Sequence, residues 1–206
     1  MNGVVADLLD ALAPRSCAAC EGPSAGTLCE RCQESVVAPD VLGCALFGGA
    51  VADAVRAAKF RPDATVAEAL ARLWVERVVS GLCPALPIVD AVAFVPAPYR
   101  RRLARGFDLP AVLAGAVAGL ARAPLVDALA CTRADAPLSF GADKAARAAA
   151  VSGRYRVRPA FAARAAGCRV LLVDDVKTTG ATLAEAARAL ADSGADVVTA
   201  AFAIAP

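Results

Sequence analysis

The segment that decides the fold reads Val170-Leu171-Leu172-Val173-Asp174-Asp175-Val176-Lys177-Thr178-Thr179-Gly180-Ala181-Thr182. Its first four residues are branched and apolar, which predicts a strand buried on both faces, and two aspartates follow at the carboxyl end of that strand. A turn of hydroxyl residues and glycine then opens a helix. The segment therefore predicts a strand, a polar loop and a helix in immediate succession.

The loop from Thr178 to Thr182 has the composition of a phosphate-binding site. We expect its backbone N–H groups and hydroxyls at the positive end of a helix dipole, with Gly180 allowing a tight turn. Asp174 and Asp175 cannot hold a phosphate, so we expect them to accept hydrogen bonds from sugar hydroxyls, directly or through a magnesium shell. The alternative is an ordinary strand-to-helix turn with a threonine N-cap and two solvated acids.

Strands and helices alternate in the sequence on either side of this loop. Strands are predicted over 88–95, 169–173 and 196–204, and helices over 63–79, 109–120 and 181–191. Such alternation is typical of an α/β fold, in which a parallel sheet is covered by helices on both faces. Ligands of such folds bind at the carboxyl ends of the strands, where the acid pair is expected to lie.

Cysteine supplies the candidate metal ligands of this chain. The 206 residues include no histidine, which excludes an imidazole base, a Ser-His-Asp triad and a histidine metal ligand. Cys17, Cys20, Cys29 and Cys32 form two Cys-x2-Cys pairs whose spacing fits a closed, structural Zn2+ site. Two disulfides or buried unligated cysteines are the alternatives. The other four cysteines are scattered singly and are expected to be small buried apolar residues.

The chain is expected to have three parts and to remain outside the membrane. Residues 1–45 are assigned to an N-terminal helix and zinc knuckle, 46–82 to a helical connector, and 83–206 to the main domain. The charge-free stretch 109–121 is shorter than the roughly 20 residues of a spanning helix. Asp7 and Asp10 interrupt the first apolar stretch, unlike a secretory signal, so a cytoplasmic location is expected.

Further motifs accompany the loop and the cysteines along the chain. In order they are Lys59-Phe60, Val95-Pro96-Ala97-Pro98, Arg100-Arg101-Arg102 and Arg105-Gly106-Phe107. With the loop over 174–182, the chain resembles the type I phosphoribosyltransferases. With the cysteines as well, it resembles more narrowly the ComF family, in which a four-cysteine zinc knuckle is joined to a phosphoribosyltransferase domain.

The resemblance implies a binding site for phosphoribosyl pyrophosphate with Mg2+. It implies that Thr178 to Thr182, preceded by Val176 and Lys177, form the loop that binds the 5-phosphate. Asp174 and Asp175 are implied to face the 2- and 3-hydroxyls of the ribose. Arg105 and Gly106 are implied to meet the pyrophosphate, so that the implied catalytic residues are Asp174, Asp175 and Arg105. The alternative for the arginines is a solvated basic loop.

The sequence also departs from the family pattern. Pro137, Phe140 and Ala150 stand where polar residues are usual in the segment 131–157, which is expected to form a mobile flap. Asp108-Leu109 replaces the usual Asn-Gln, and Lys177 replaces an apolar or aromatic residue.

These observations leave two hypotheses. The first is a phosphoribosyltransferase, a pentosyl-transferring glycosyltransferase, that uses phosphoribosyl pyrophosphate and Mg2+. The second is a non-catalytic protein that binds single-stranded DNA or acts as an adaptor of the DNA-uptake machinery in natural competence. The two hypotheses do not exclude each other.

Overall fold

The computed structural model describes residues 16–61, 64–132 and 152–205. The helices are α1 (Glu30–Glu34), α2 (Gly49–Phe60), α3 (Ala64–Val79), α4 (Tyr99–Arg105), α5 (Leu109–Ala121), α6 (Pro159–Ala162) and α7 (Ala181–Ala191). The strands are β1 (Gly43–Leu46), β2 (Ala91–Phe94), β3 (Leu125–Val126), β4 (Leu129–Cys131), β5 (Tyr155–Val157), β6 (Arg169–Lys177) and β7 (Asp196–Ile204).

A five-stranded sheet forms the centre of the described structure. Its strand order is β1-β7-β6-β2-β3, and every neighbouring pair is parallel. β4 and β5 form a separate antiparallel pair. The predicted parallel-sheet α/β class is therefore confirmed, with β6 between β7 and β2.

The side chains of β6 alternate between two apolar cores. Leu171 and Val173 belong to a core that contains residues of α3 and α5, such as Trp74 and Leu113. Val170 and Leu172 belong to a second core with residues of α7. All four strand residues are fully buried, as a strand covered on both faces requires.

β1 extends the main sheet at its edge beside β7. Gly43 lies opposite Ala201, and a Cβ atom at Gly43 would stand 2.7 Å from the Ala201 carbonyl oxygen. A side chain is therefore excluded there by the close approach of the two strands. The sequence pattern does not predict β1, and it gives no separate bounds for α2, which lies within the segment 46–82 assigned to a helical connector. The three-part division of the chain stays a prediction.

Most of the other predicted elements correspond closely to the observed ones, but the strand predicted over 88–95 is observed only as β2, over Ala91–Phe94. The helix predicted over 181–191 and the strand predicted over 196–204 have the observed bounds, and the helix predicted over 109–120 ends one residue later, at Ala121. β6 is four residues longer than the strand predicted over 169–173, because it continues through the acid pair, where Asp174 pairs with Ala201. The predicted N-terminal helix over 5–12, Pro137, Phe140 and Ala150 lie outside the described residues.

Among the described helices, no single one has both the length and the apolar character needed to cross a membrane. α4 and α5 meet that criterion only when they are taken together, and they are bent by 82° relative to each other.

Candidate functional site

A cleft of about 360 Å³ opens at the carboxyl ends of β2 and β6. This edge of the sheet is where parallel α/β folds bind ligands. The side chains that line the cleft come from four segments far apart in sequence. They are Phe47, Lys59, Val95, Pro96, Ala97, Pro98, Arg101, Arg105, Pro110, Arg154, Tyr155, Asp174, Asp175, Val176, Thr178 and Thr182.

The acid pair forms the floor of this cleft where β6 extends beyond β2. The last β2 residue, Phe94, pairs with Val173, so the two aspartates follow immediately after the β2 pairing ends. Asp174 is buried, and its Oδ1 accepts a hydrogen bond of 2.8 Å from the backbone N–H of Asp175. Burial and the neighbouring charge of Asp175 raise the pKa of Asp174 well above its usual range. The pair therefore has a lower negative charge at neutral pH than two independent carboxylates.

Lys59 supplies the cation beside this acid pair. Its Nζ lies 2.7 Å from Oδ1 of Asp175, and both side chains are largely shielded from solvent. The contact joins the last turn of α2 to β6 across 116 residues of sequence. Lys59 was part of the motif Lys59-Phe60, but the sequence pattern assigns no role to it.

The hydroxyl loop connects β6 to α7 at one wall of the cleft. Thr178 and Thr182 line the cleft, whereas Lys177, Thr179, Gly180 and Ala181 are not among its lining residues. Gly180 has a φ of +75° and is the N-cap of α7, without a side-chain cap. The threonine N-cap considered as an alternative is thus not formed, and the left-handed backbone explains why glycine stands there.

Several backbone amides at this helix start remain available to a ligand. Within the described residues, the amides of Thr178, Thr179, Gly180 and Thr182 donate no hydrogen bond to another protein atom. The amide of Ala181 has only a long contact of 3.5 Å with the Thr179 hydroxyl. Unpaired amides at the N-terminus of an eleven-residue helix favour an anion at this position.

Arginines from α4 and from the β5 region also line the cleft. Arg101, Arg105 and Arg154 line it, and α4 contains no buried residue. Gly106 ends α4 as its C-cap and is not a lining residue. The cleft thus combines an acid pair with guanidinium groups, an arrangement that suits a ligand bearing both hydroxyls and phosphates.

Asp108 is a buried acid beside the cleft to which the sequence pattern assigns no role. Its Oδ2 accepts a hydrogen bond of 3.1 Å from the backbone N–H of Ala97. Burial raises the pKa of Asp108 to about 6, although the Ala97 amide and Arg102 oppose that shift. The burial of Asp108 is visible only in the fold.

Four cysteines form a cluster in the N-terminal segment, and none of them is a lining residue of the cleft. The sulfur atoms of Cys17, Cys20, Cys29 and Cys32 all lie within 4.8 Å of one another. The Sγ atoms of Cys20 and Cys29 are 3.7 Å apart, close to the roughly 3.8 Å separation that tetrahedral Zn–S bonds of about 2.3 Å require.

The electrostatics of this cluster also fit a bound cation. Burial and the neighbouring thiols raise the pKa of Cys32. Burial also opposes ionisation of Cys17, but hydrogen bonds from the backbone of Cys20, Cys29 and Ala19 outweigh it and lower the pKa of Cys17 to about 6. One thiol of the group therefore ionises readily, and a bound cation favours ionisation of the others. The residues therefore fit a closed Zn2+ site that stabilises the fold.

Comparison with protein-family models and with curated proteins finds no match. Among solved structures, the allosteric regulatory enzyme of purine biosynthesis is 20% identical, with a TM-score of 0.44, and the alignment covers 66% of this chain and 26% of that one. The glutamine phosphoribosylpyrophosphate amidotransferase from B. subtilis, complexed with ADP and GMP, is 21% identical, with a TM-score of 0.43 and coverage of 65% and 26%. The matched region thus spans about a quarter of each of those chains.

Proposed function

We propose that the protein binds phosphoribosyl pyrophosphate with Mg2+ in the cleft at the carboxyl edge of the sheet. One observation carries the proposal. An acid pair, a helix N-terminus with unpaired amides and a group of arginines line the same cleft. A phosphorylated pentose with a second anionic group presents the hydroxyls and phosphates that these three features recognise.

Each feature has a proposed part in binding. The loop from Thr178 to Thr182 receives the 5-phosphate, and Asp174 and Asp175 accept hydrogen bonds from the ribose hydroxyls. Arg101 and Arg105 lie beside the pyrophosphate. Mg2+ supplies charge neutralisation on that pyrophosphate when it is bound.

We further propose that the bound sugar transfers its phosphoribosyl group to a nucleophile. In this reaction the nucleophile forms a bond to ribose C1, and the bond from C1 to pyrophosphate breaks with both electrons leaving on the pyrophosphate. Negative charge therefore grows beside Arg101 and Arg105, whose fixed guanidiniums stabilise the leaving group. The protein's contribution is mainly positioning and electrostatic.

Calorimetric titration of the full chain with phosphoribosyl pyrophosphate and Mg2+ tests the binding. We expect saturable binding that weakens about tenfold or more when Asp174→Asn and Asp175→Asn are combined, because charged acceptors are lost. Asp196→Asn is the matched control. Asp196 is exposed and is the first residue of β7, so it lies at the amino ends of the parallel strands, opposite to the carboxyl ends that form the cleft. Absence of heat with millimolar ligand rejects the proposal.

Transfer is tested separately from binding. The protein is incubated with phosphoribosyl pyrophosphate, Mg2+ and a panel of amine and nucleobase acceptors, and released pyrophosphate is measured. Release that depends on an acceptor and is lost in the double aspartate variant supports transfer. Binding without release supports a non-catalytic protein that responds to the sugar.

One observation favours single-stranded DNA as a second ligand. α4 carries four arginines on a helix without buried residues, and the ring of its Tyr99 is exposed and lies 6.0 Å from the Arg102 guanidinium carbon. Cations combined with an exposed aromatic ring suit a nucleic-acid strand, and we include a role in DNA uptake in this proposal. Titration of a labelled single strand at two salt concentrations tests it, and binding that is indifferent to salt contradicts it.

A further inference from the structure

Lys59 is held in a fixed position beside the acid pair. It lies in the last turn of α2, a helix with six buried residues, four of which belong to the core that contains residues of the sheet and α3. The side chain of Lys59 is 25% exposed and that of Asp175 is 13% exposed, so water screens their 2.7 Å contact only in part. Charge pairing of this kind restricts the orientation of the carboxylate as well as its ionisation.

The contact divides the roles of the two aspartates. Both aspartates line the cleft, but Asp174 is buried and accepts the N–H of Asp175, whereas Asp175 is paired with a cation. Lys59 occupies Oδ1 of Asp175. A carboxylate retains further acceptor positions after one ion pair, and those of Asp175 remain for a ligand hydroxyl.

The acid pair without Lys59 would be a weaker acceptor. Two adjacent carboxyl groups in a poorly solvated place repel each other, and Lys59 partly opposes the resulting rise in the pKa of Asp174. Loss of Lys59 therefore favours protonation of the pair further. A carboxyl group that has taken up a proton and lost its partner on α2 presents neither the same charge nor the same orientation to a hydroxyl. Without Lys59, the affinity of the site therefore depends less on how many hydroxyls the sugar carries.

We propose that Lys59 positions the Asp175 carboxylate and thereby makes the cleft selective for a ribose that carries both its 2- and 3-hydroxyls. The inference rests on the proposed binding of a phosphorylated pentose and assigns its selectivity to a residue outside the loop and the acid pair. Lys59 acts through Asp175 and is a positioning residue. A 2-deoxyribose leaves one acceptor of the pair without a partner, and such a site discriminates against it.

Two probes of equal charge test this inference in the full-length protein. Ribose 5-phosphate and 2-deoxyribose 5-phosphate are titrated separately by calorimetry into the wild type, Lys59→Met, Lys59→Arg and Arg56→Met. Arg56→Met is the matched control, because Arg56 lies on the same helix in an exposed pair with Asp53. Thermal melting of each variant verifies that it is folded.

The quantity compared is the dissociation constant of 2-deoxyribose 5-phosphate divided by that of ribose 5-phosphate. We expect the wild type and Arg56→Met to favour the ribose by about tenfold or more. In Lys59→Met the ratio falls to about threefold or less, mainly because the ribose binds more weakly, and Lys59→Arg restores much of it. A purely structural role of Lys59 would weaken both sugars equally and leave the ratio unchanged.

The outcomes separate this inference from the function on which it rests. If the wild type discriminates and Lys59→Met retains the full ratio, the role of Lys59 is wrong and the proposed binding site stands. If both sugars weaken equally in Lys59→Met, the lysine serves general attraction of anions and the inference is likewise wrong. If the wild type binds neither sugar nor phosphoribosyl pyrophosphate, the proposed function fails and the inference fails with it.

Discussion

The carboxylate of Asp108 holds the backbone of Ala97 at 3.1 Å, which ties the start of α5 to the Pro-Ala-Pro segment of the cleft wall. Arg102 approaches the same carboxylate, with its Nε 3.9 Å from Oδ2. Among residues 16–61, 64–132 and 152–205, neither Oδ1 of Asp108 nor Nε of Arg102 has a hydrogen-bond partner. A buried carboxylate with half of its acceptors unused is costly to ionise, and this cost makes the cleft wall sensitive to pH.

Replacement of Asp108 by asparagine should therefore change how stability depends on pH. The folded-state pKa of Asp108 is raised to about 6 by burial, above the value of about 4 for an unfolded aspartate. The stabilisation from its protonated form is therefore complete below about pH 4 and is lost as the pH rises through about 6. Asp108→Asn cannot ionise, so we expect its stability relative to wild type to be greater by about 1 to 2 kcal/mol at about pH 7.5 than at about pH 4.5.

Urea unfolding of both proteins at the two pH values measures this difference. Asp196→Asn serves as the control, because that carboxylate is 67% exposed and its removal should change little with pH. The same relative stability of Asp108→Asn at both pH values would mean that the buried carboxyl group titrates as an ordinary one.

Loss of a single cysteine of the cluster should release the metal and destabilise the protein. Cys20 is the exposed member, so Cys20→Ser removes a ligand while disturbing little apolar packing. We expect about one zinc per chain in the wild type, clearly less in the variant, and a loss of about 2 kcal/mol or more of unfolding free energy. Elemental analysis and thermal melting measure these quantities.

Cys168→Ser is the control for this prediction. Cys168 lies outside the cluster and is half-buried, so the same chemical change there should leave the metal content unaltered. Equal zinc content in Cys20→Ser and wild type would show that the four sulfurs are not the ligands.

The central part of the fold could be predicted because its sequence signals are local. Val170 to Val173 are uniformly apolar, the acids and hydroxyls follow directly, and the change from strand to helix occurs within about ten residues. β1 could not be predicted in this way, because four apolar residues do not distinguish a strand from a piece of helix. Its identity comes from pairing with β7, which is far away in sequence.

From the residues alone, the candidate site was predictable only in its contiguous part, whereas Arg105, which also lines the cleft, was expected only from the family resemblance. The loop and the acid pair lie together in the sequence, and the structure places them in one cleft. Lys59 and Asp108 lie 116 and 67 residues before Asp175, and only the fold brings their charges near it. Ion pairs between distant segments leave no periodic pattern in a sequence, so their roles depend on tertiary structure.

Weakening the contact between Trp74 and Phe202 should reduce the stability of the folded protein. Their ring centroids are 5.9 Å apart with planes at 72°, and both side chains are fully buried between α3 and β7. Phe202→Leu should reduce the free energy of unfolding by about 1 to 2 kcal/mol, through lost aromatic contact and imperfect packing. Fluorescence of Trp74, the single tryptophan, reports the transition directly.

Ile88→Ala provides the comparison for this core substitution. Ile88 is 91% exposed, so its truncation should change stability by less than about 0.5 kcal/mol. A Phe202→Leu protein as stable as Ile88→Ala would contradict the packing of α3 against β7.

Gly180→Ala should damage the loop more than the fold. The φ of +75° at Gly180 is unfavourable for alanine by about 1 to 2 kcal/mol, and the added Cβ would meet Cε of Lys177 at 3.3 Å. The strain is relieved most readily by rotation of the loop, which moves the amides of Thr178 to Thr182 away from a bound phosphate. We therefore expect ribose 5-phosphate to bind about tenfold or more weakly, with a decrease in melting temperature of only a few degrees.

Gly119→Ala, within α5 and with open space around its Cα, should leave binding unchanged and raise stability slightly. Unaltered affinity in a folded Gly180→Ala protein would place the phosphate elsewhere.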